Sequence, residues 1–208
     1  MTSPFHFGDE LGRAIGLVAH RSAFASNTLE VICAALTGDG GYFARKGLVD
    51  DTLGTQTSKV RALLDARAKP SSTPEFDDLA DGFLTGLDGI VPFRNRIIHD
   101  LWLDAPFAGH TDGVFGHRPR KVGASRSTRS TVGTFEDIAT TIWVMAGGLF
   151  VSARGIGLPV SDNGVELPKE AKATLLDTAR AYAEDIGDVL TALNAGEPHP
   201  RWVWQHGA

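Results

Sequence analysis

Apolar positions in the first part of the chain recur at helical spacing. From about Asp9 to Thr37, Leu11, Ile15, Val18, Leu29, Ile32, Cys33 and Leu36 fall mostly three, four or seven residues apart, which gathers them on one face of a helix. Gly38-Asp39-Gly40-Gly41 ends that stretch. A second helix is expected over about Asp50 to Ala68, with Leu53, Val60, Leu63 and Leu64 inward. Pro70 to Pro74 reads as a turn, with Thr73 as N-cap and Pro74 at the first helical position, where a missing N–H costs little. The third helix carries Phe76, Leu79, Ala80, Phe83, Leu84, Leu87, Ile90 and Val91. Pro92 is expected to kink it or to start a new short helix, because proline removes a backbone donor and crowds the preceding turn. The helical pattern then resumes from Phe93 to Leu101.

From about Leu103 to Thr134 the periodicity is lost in favour of Gly, Ser, Thr and Pro. Short strands at Gly113 to His117 and Lys121 to Ala124 would make a β-hairpin arm there. A fourth helix is expected over about Phe135 to Arg154, with Thr134 as cap and Glu136 and Asp137 in its first turn. A fifth covers about Lys169 to Asn194, with Ala179, Tyr182, Ile186, Val189, Leu190 and Leu193 on one side. The tail, 195–208, holds Trp202 and Trp204 and is expected to pack on the body or on a partner. The pattern therefore predicts an all-α fold: one domain over 1–208, an antiparallel bundle of about five helices. An irregular or β-hairpin insertion at about 103–134 separates helices 3 and 4.

Composition narrows the classes. In 208 residues, 42% are hydrophobic and 22% charged, enough to bury a core and too apolar for a disordered chain. The net charge of -5 disfavours a general nucleic-acid binder, so any basic site must be local. A single cysteine, Cys33, excludes an internal disulfide and a cysteine-based zinc site. The other histidines lack metal-ligand spacing, and neither a metal nor a cofactor is expected. The start of the chain lacks the features of a signal peptide, and the longest apolar run, Ile142 to Val151, is interrupted by Gly147-Gly148. A cytoplasmic protein is the expectation.

One segment carries chemistry. Arg94-Asn95-Arg96-Ile97-Ile98-His99-Asp100 sets hydrogen-bonding side chains among bundle-facing aliphatics. On an ideal helix Asn95 and His99 are one turn apart and share a face, whereas Arg94 lies about 140° from His99. Either the long arginine reaches round, the last turn deviates, or a second copy completes the site across a twofold axis. An imidazole moves protons near neutrality, and a guanidinium offers paired donors to a phosphate whose charge grows in a transition state. Trp102 is placed to wall the same face. The same polar group could instead be a satisfied structural cluster.

The segment Phe93 to Trp102, with Arg94, Asn95 and His99 spaced as arginine, polar residue, variable residues and histidine near a helix end, resembles the hallmark of the HEPN superfamily. The order of elements is similar over about residues 9 to 194; the close match is about ten residues long, and the 103–134 insertion exceeds what a minimal bundle needs. The resemblance implies a homodimer in which two such segments form one cleft. It implies metal-independent RNA cleavage leaving 2′,3′-cyclic phosphate ends, with Arg94 and His99 catalytic and Asn95 supporting. Such a protein would be a toxin or a phage-defence or stress effector, with an antitoxin as partner. Relatives of that kind also include non-catalytic binding or dimerisation modules and nucleotide-binding partners of nucleotidyltransferases, which are the alternative functions here. Arg96 and Trp102 are expected to help bind substrate. So are Arg118, Arg120, Lys121, Arg126 and Arg129, which fall in a run of twelve residues without an acid; their bland reading is a solvated loop.

Overall fold

The computed structural model describes residues 9–38, 51–67, 74–104, 113–118, 126–160 and 167–206. Its elements in chain order are α1 (Asp9–Thr37), α2 (Leu53–Ala66), α3 (Pro74–His99), β1 (Leu101–Asp104), β2 (Val114–Arg118) and β3 (Arg126–Ser130), then α4 (Val132–Gly155), α5 (Lys169–Asp185), α6 (Gly187–Asn194) and β4 (Gln205–His206). The chain is mainly helical, with six helices among the described residues, rather than purely so. Strands β1, β2 and β3 form an antiparallel meander, and the two-residue β4 joins the free edge of β3.

Helix α4 is the hub. Phe135, Ile138, Ile142, Met145, Ala146 and Leu149 are all fully buried, and α1, α3 and α5 pack around the helix. A helix apolar on most of its circumference is expected at the centre of a bundle. By length and composition alone it could also cross a membrane; here neighbouring helices cover it. The glycine pair that interrupts its apolar run has a packing role. A Cβ at Gly148 would overlap the Phe83 ring, so the glycine lets α3 and α4 approach closely.

Several expected boundaries move. Helix α3 runs through Pro92, which is exposed, so solvent can serve the backbone acceptor that the proline leaves behind. The cap of α4 is Thr131, whose side chain accepts from the backbone N–H of Thr134 at 3.1 Å. The long last helix is divided at Ile186 into α5 and α6. The second hairpin strand lies at 126–130; the expected one at 121–124 and the expected cap Thr73 lie outside the described residues.

The end of α3 and the sheet are joined by one tryptophan. The Trp102 indole N–H donates to the carbonyls of Arg96 (3.2 Å) and Ile97 (3.1 Å). The Arg96 carbonyl also accepts from the Asp100 N–H at 2.9 Å, so the indole chiefly serves Ile97, one of the acceptors that a helix leaves over at its C-terminus. Its ring lies across Gly116, the residue opposite on β2, and meets Phe135 edge-on at 4.6 Å between centroids. The tail returns to the body. Trp202 and Trp204 both pack edge-on against Phe93, at 5.4 and 5.1 Å, and the Val203 N–H donates to Thr134 Oγ1 at 3.0 Å.

Candidate functional site

A cleft of about 450 Å³ opens between α1, the start of α2 and the end of α3. Its α1 wall is made of Ala19, Ser22, Ala23 and Ser26, spaced three, four and seven apart and so on one helix face. Small side chains there leave room that larger ones would fill. Asp51, Thr52 and Leu53 close one side, where Thr52 caps α2 by accepting from the N–H of Thr55 at 3.3 Å. Arg94, Asn95 and His99 of α3 form the rest of the lining.

The three residues singled out by the sequence thus share one cleft. His99 is exposed, while Arg94 and Asn95 are partly buried. The Arg94 guanidinium reaches toward Asn95, which shares a helix face with His99, and both Arg94 and His99 line the cleft. Its Nε–H donates to Ser22 Oγ on α1 at 3.3 Å, and its Nη1 donates to Asn95 Oδ1 at 2.9 Å. Burial pulls the Arg94 guanidinium below its ordinary pKa, because desolvation disfavours the charged form. Both acceptors are neutral, and among the described residues no carboxylate pairs with Arg94. The acid in the cleft, Asp51, is engaged by Lys59 at 2.5 Å.

Three of the expected substrate-binding residues, Arg96, Trp102 and Arg129, separate from this site. Arg96 points away from the cleft into an ion pair with Asp100 at 2.7 Å, with side chains 12% and 0% exposed. That pairing corrects its expected role, since its charge is already neutralised and desolvated. Trp102 is only 1% exposed and belongs to the core, not to a cleft wall. Arg129 lies on β3 opposite Phe115, and no described cleft residue comes from the sheet. Arg118 and Arg126 stand opposite each other in the β2–β3 register. Arg120 and Lys121 lie outside the described residues.

Ser22, Ser26 and the Asp51-Thr52 turn were not anticipated as cleft residues. The one sequence signal for Ser22 and Ser26 is that no large aliphatic residue stands on α1 between Val18 and Leu29. Among the described residues no group of three His, Cys, Asp or Glu is arranged to hold a metal ion. In chemical terms the cleft offers a fixed guanidinium, an amide, an accessible imidazole and three hydroxyls. Compared with known protein families, curated proteins and solved structures, the chain matches none.

Proposed function

We propose that this chain is a HEPN-like domain that cleaves RNA without a metal ion, with Arg94 and His99 catalytic and Asn95 supporting. The observation that carries the proposal is the half-buried Arg94, held by neutral acceptors beside an exposed His99 in one open cleft. A partly desolvated cation with no carboxylate partner among the described residues invites an anion, and a phosphodiester fits a guanidinium's paired donors. In this scheme the ribose 2′-oxygen attacks the adjacent phosphorus and the bond from phosphorus to the 5′-oxygen breaks. The products carry a 2′,3′-cyclic phosphate and a 5′-hydroxyl. An imidazole such as His99 takes the 2′-hydroxyl proton or supplies one to the leaving oxygen. Arg94 donates to the phosphoryl oxygens as their charge grows. Asn95 holds Arg94 from one end. Because His99 is exposed, a second copy has access to it, and a homodimer that doubles the Arg/His set belongs to the same proposal. A cytoplasmic toxin or defence effector is the role such chemistry would serve.

The test is cleavage of mixed RNA in EDTA by the purified chain and by Arg94→Ala and His99→Ala variants. Cleavage that leaves cyclic phosphate ends and disappears in both variants supports the proposal. RNA left intact by a folded wild type, or cleavage unchanged in both variants, overturns it. Intact RNA with unaltered self-association would favour a binding or dimerisation module.

A further inference from the structure

Ser22 occupies an unusual position for its chemistry. It is 3% exposed in the middle of a long helix, where alanine would have higher helix propensity and no polar atom to satisfy. Its O–H donates to the Val18 carbonyl one turn earlier, at 2.7 Å, a back-bond that slightly weakens helices. What this arrangement provides is an oxygen lone pair facing α3, and Arg94 Nε–H donates to it from 72 residues away in sequence. Asn95 Oδ1 takes a hydrogen from the opposite end of the same guanidinium. Two contacts at two ends fix both the position and the plane of the group. Among the described residues these contacts use two of the five N–H donors of the arginine, and three remain for a ligand.

The choice of partners matters as much as their positions. A carboxylate would hold Arg94 more strongly but would neutralise it and compete with a phosphate, as Asp100 does for Arg96. A hydroxyl orients the cation and leaves its charge intact. We propose that Ser22 is a positioning residue that aims the Arg94 guanidinium at one non-bridging oxygen of the phosphate undergoing attack. This inference rests on the reading of the cleft as an RNA-cleaving site.

The experiment compares the wild type with Ser22→Ala, Ser22→Cys and Ser22→Thr in two measurements on the full chain. The first follows the Arg94 side-chain Nε–H in protein labelled with ¹⁵N-arginine, without substrate. The second follows cleavage of RNA carrying Rp or Sp phosphorothioate at the scissile link. A bound orientation yields a slowly exchanging Nε–H in wild type and Ser22→Thr, which keeps the oxygen. That signal is lost in Ser22→Ala and weakened in Ser22→Cys, whose near-isosteric sulfur is a poor acceptor and tests the idea even if the alanine variant fails to fold. In cleavage, the alanine variant loses up to about 10²-fold in kcat, the scale of a misplaced catalytic group, and its Rp/Sp preference collapses. Ser22→Thr restores both. A merely structural role would lower the rates of the two diastereomers equally. An unchanged Nε–H signal, or an unchanged Rp/Sp preference in folded Ser22→Ala or Ser22→Cys, overturns the proposal. If wild type cleaves neither diastereomer, the nuclease reading falls while the Nε–H measurement still decides what Ser22 does.

Discussion

The last turns of α3 present two faces built from similar residues. Toward the cleft stand Arg94, Asn95 and His99; toward the core and sheet stand Arg96 and Asp100, with Trp102 just beyond the helix. Each face carries one arginine. Arg96 gives its charge to a fully buried carboxylate, and its backbone carbonyl accepts from the Trp102 indole N–H. Among the described residues, Arg94 gives hydrogens to a hydroxyl and an amide and to no carboxylate. The same side chain thus serves structure where its charge is cancelled and is left available for a ligand where it is not. Two positions along one helix separate these outcomes, since 200° of rotation turns i to the opposite side from i+2.

Substitutions can break that comparison. The largest expected effect is on catalysis: His99→Ala lowers the cleavage rate by about 10²- to 10⁴-fold, the usual contribution of a general acid or base. Thermal unfolding should be almost unchanged, since His99 is exposed. Next comes Arg96→Gln, which removes the Arg96 cation from the buried Asp100 carboxylate and costs about 3–5 kcal/mol in denaturant unfolding. Trp102→Phe keeps the ring but removes the N–H that serves the carbonyls of Arg96 and Ile97. It should cost about 1–3 kcal/mol, the penalty for leaving the Ile97 carbonyl without a donor, since the Arg96 carbonyl keeps the Asp100 N–H.

The smallest effect concerns pH. Burial raises the Cys33 thiol above its ordinary pKa of 9.0, with Lys59 pulling weakly the other way. A group whose folded pKa is raised contributes stability that is complete below its unfolded value and is lost as pH rises through the folded one. Stability should therefore decline slightly above about pH 9 and less so in Cys33→Ala, as unfolding curves across that range would show. Arg94 has the opposite shift, lowered by burial. Near neutrality it is charged in both folded and unfolded states, so its desolvation penalty is present in full and nearly independent of pH. A bound phosphate would offset that penalty.

Much of the helical structure was legible because helical periodicity is local. The limits of α1 were evident from Leu11 to Leu36 followed by a glycine cluster. Strand β1 was hidden because Leu101 and Trp102 continue the apolar pattern of α3. The break at Ile186 was hidden for the same reason: Ile186, Val189 and Leu193 keep their helical spacing across it and all three are buried. In the site, the trio of Arg94, Asn95 and His99 was visible as a motif. The distinction between Arg94 and Arg96 was not, because it depends on which face of α3 meets α1 and which meets the core. Ser22 was invisible for a related reason, since its partner is supplied by another helix.

The most direct measurement is a side-by-side comparison of Arg94→Gln and Arg96→Gln for both unfolding free energy and RNA cleavage in EDTA. Arg94→Gln loses two hydrogen bonds to neutral groups but is relieved of a desolvated charge, so it should unfold within about 1 kcal/mol of wild type while cleavage falls below detection. Arg96→Gln should show the large loss of stability, with its remaining folded fraction still cleaving RNA. An Arg94→Gln protein that still cleaves RNA, or one destabilised as severely as Arg96→Gln, would contradict the assignment of the cleft face to chemistry and the core face to structure.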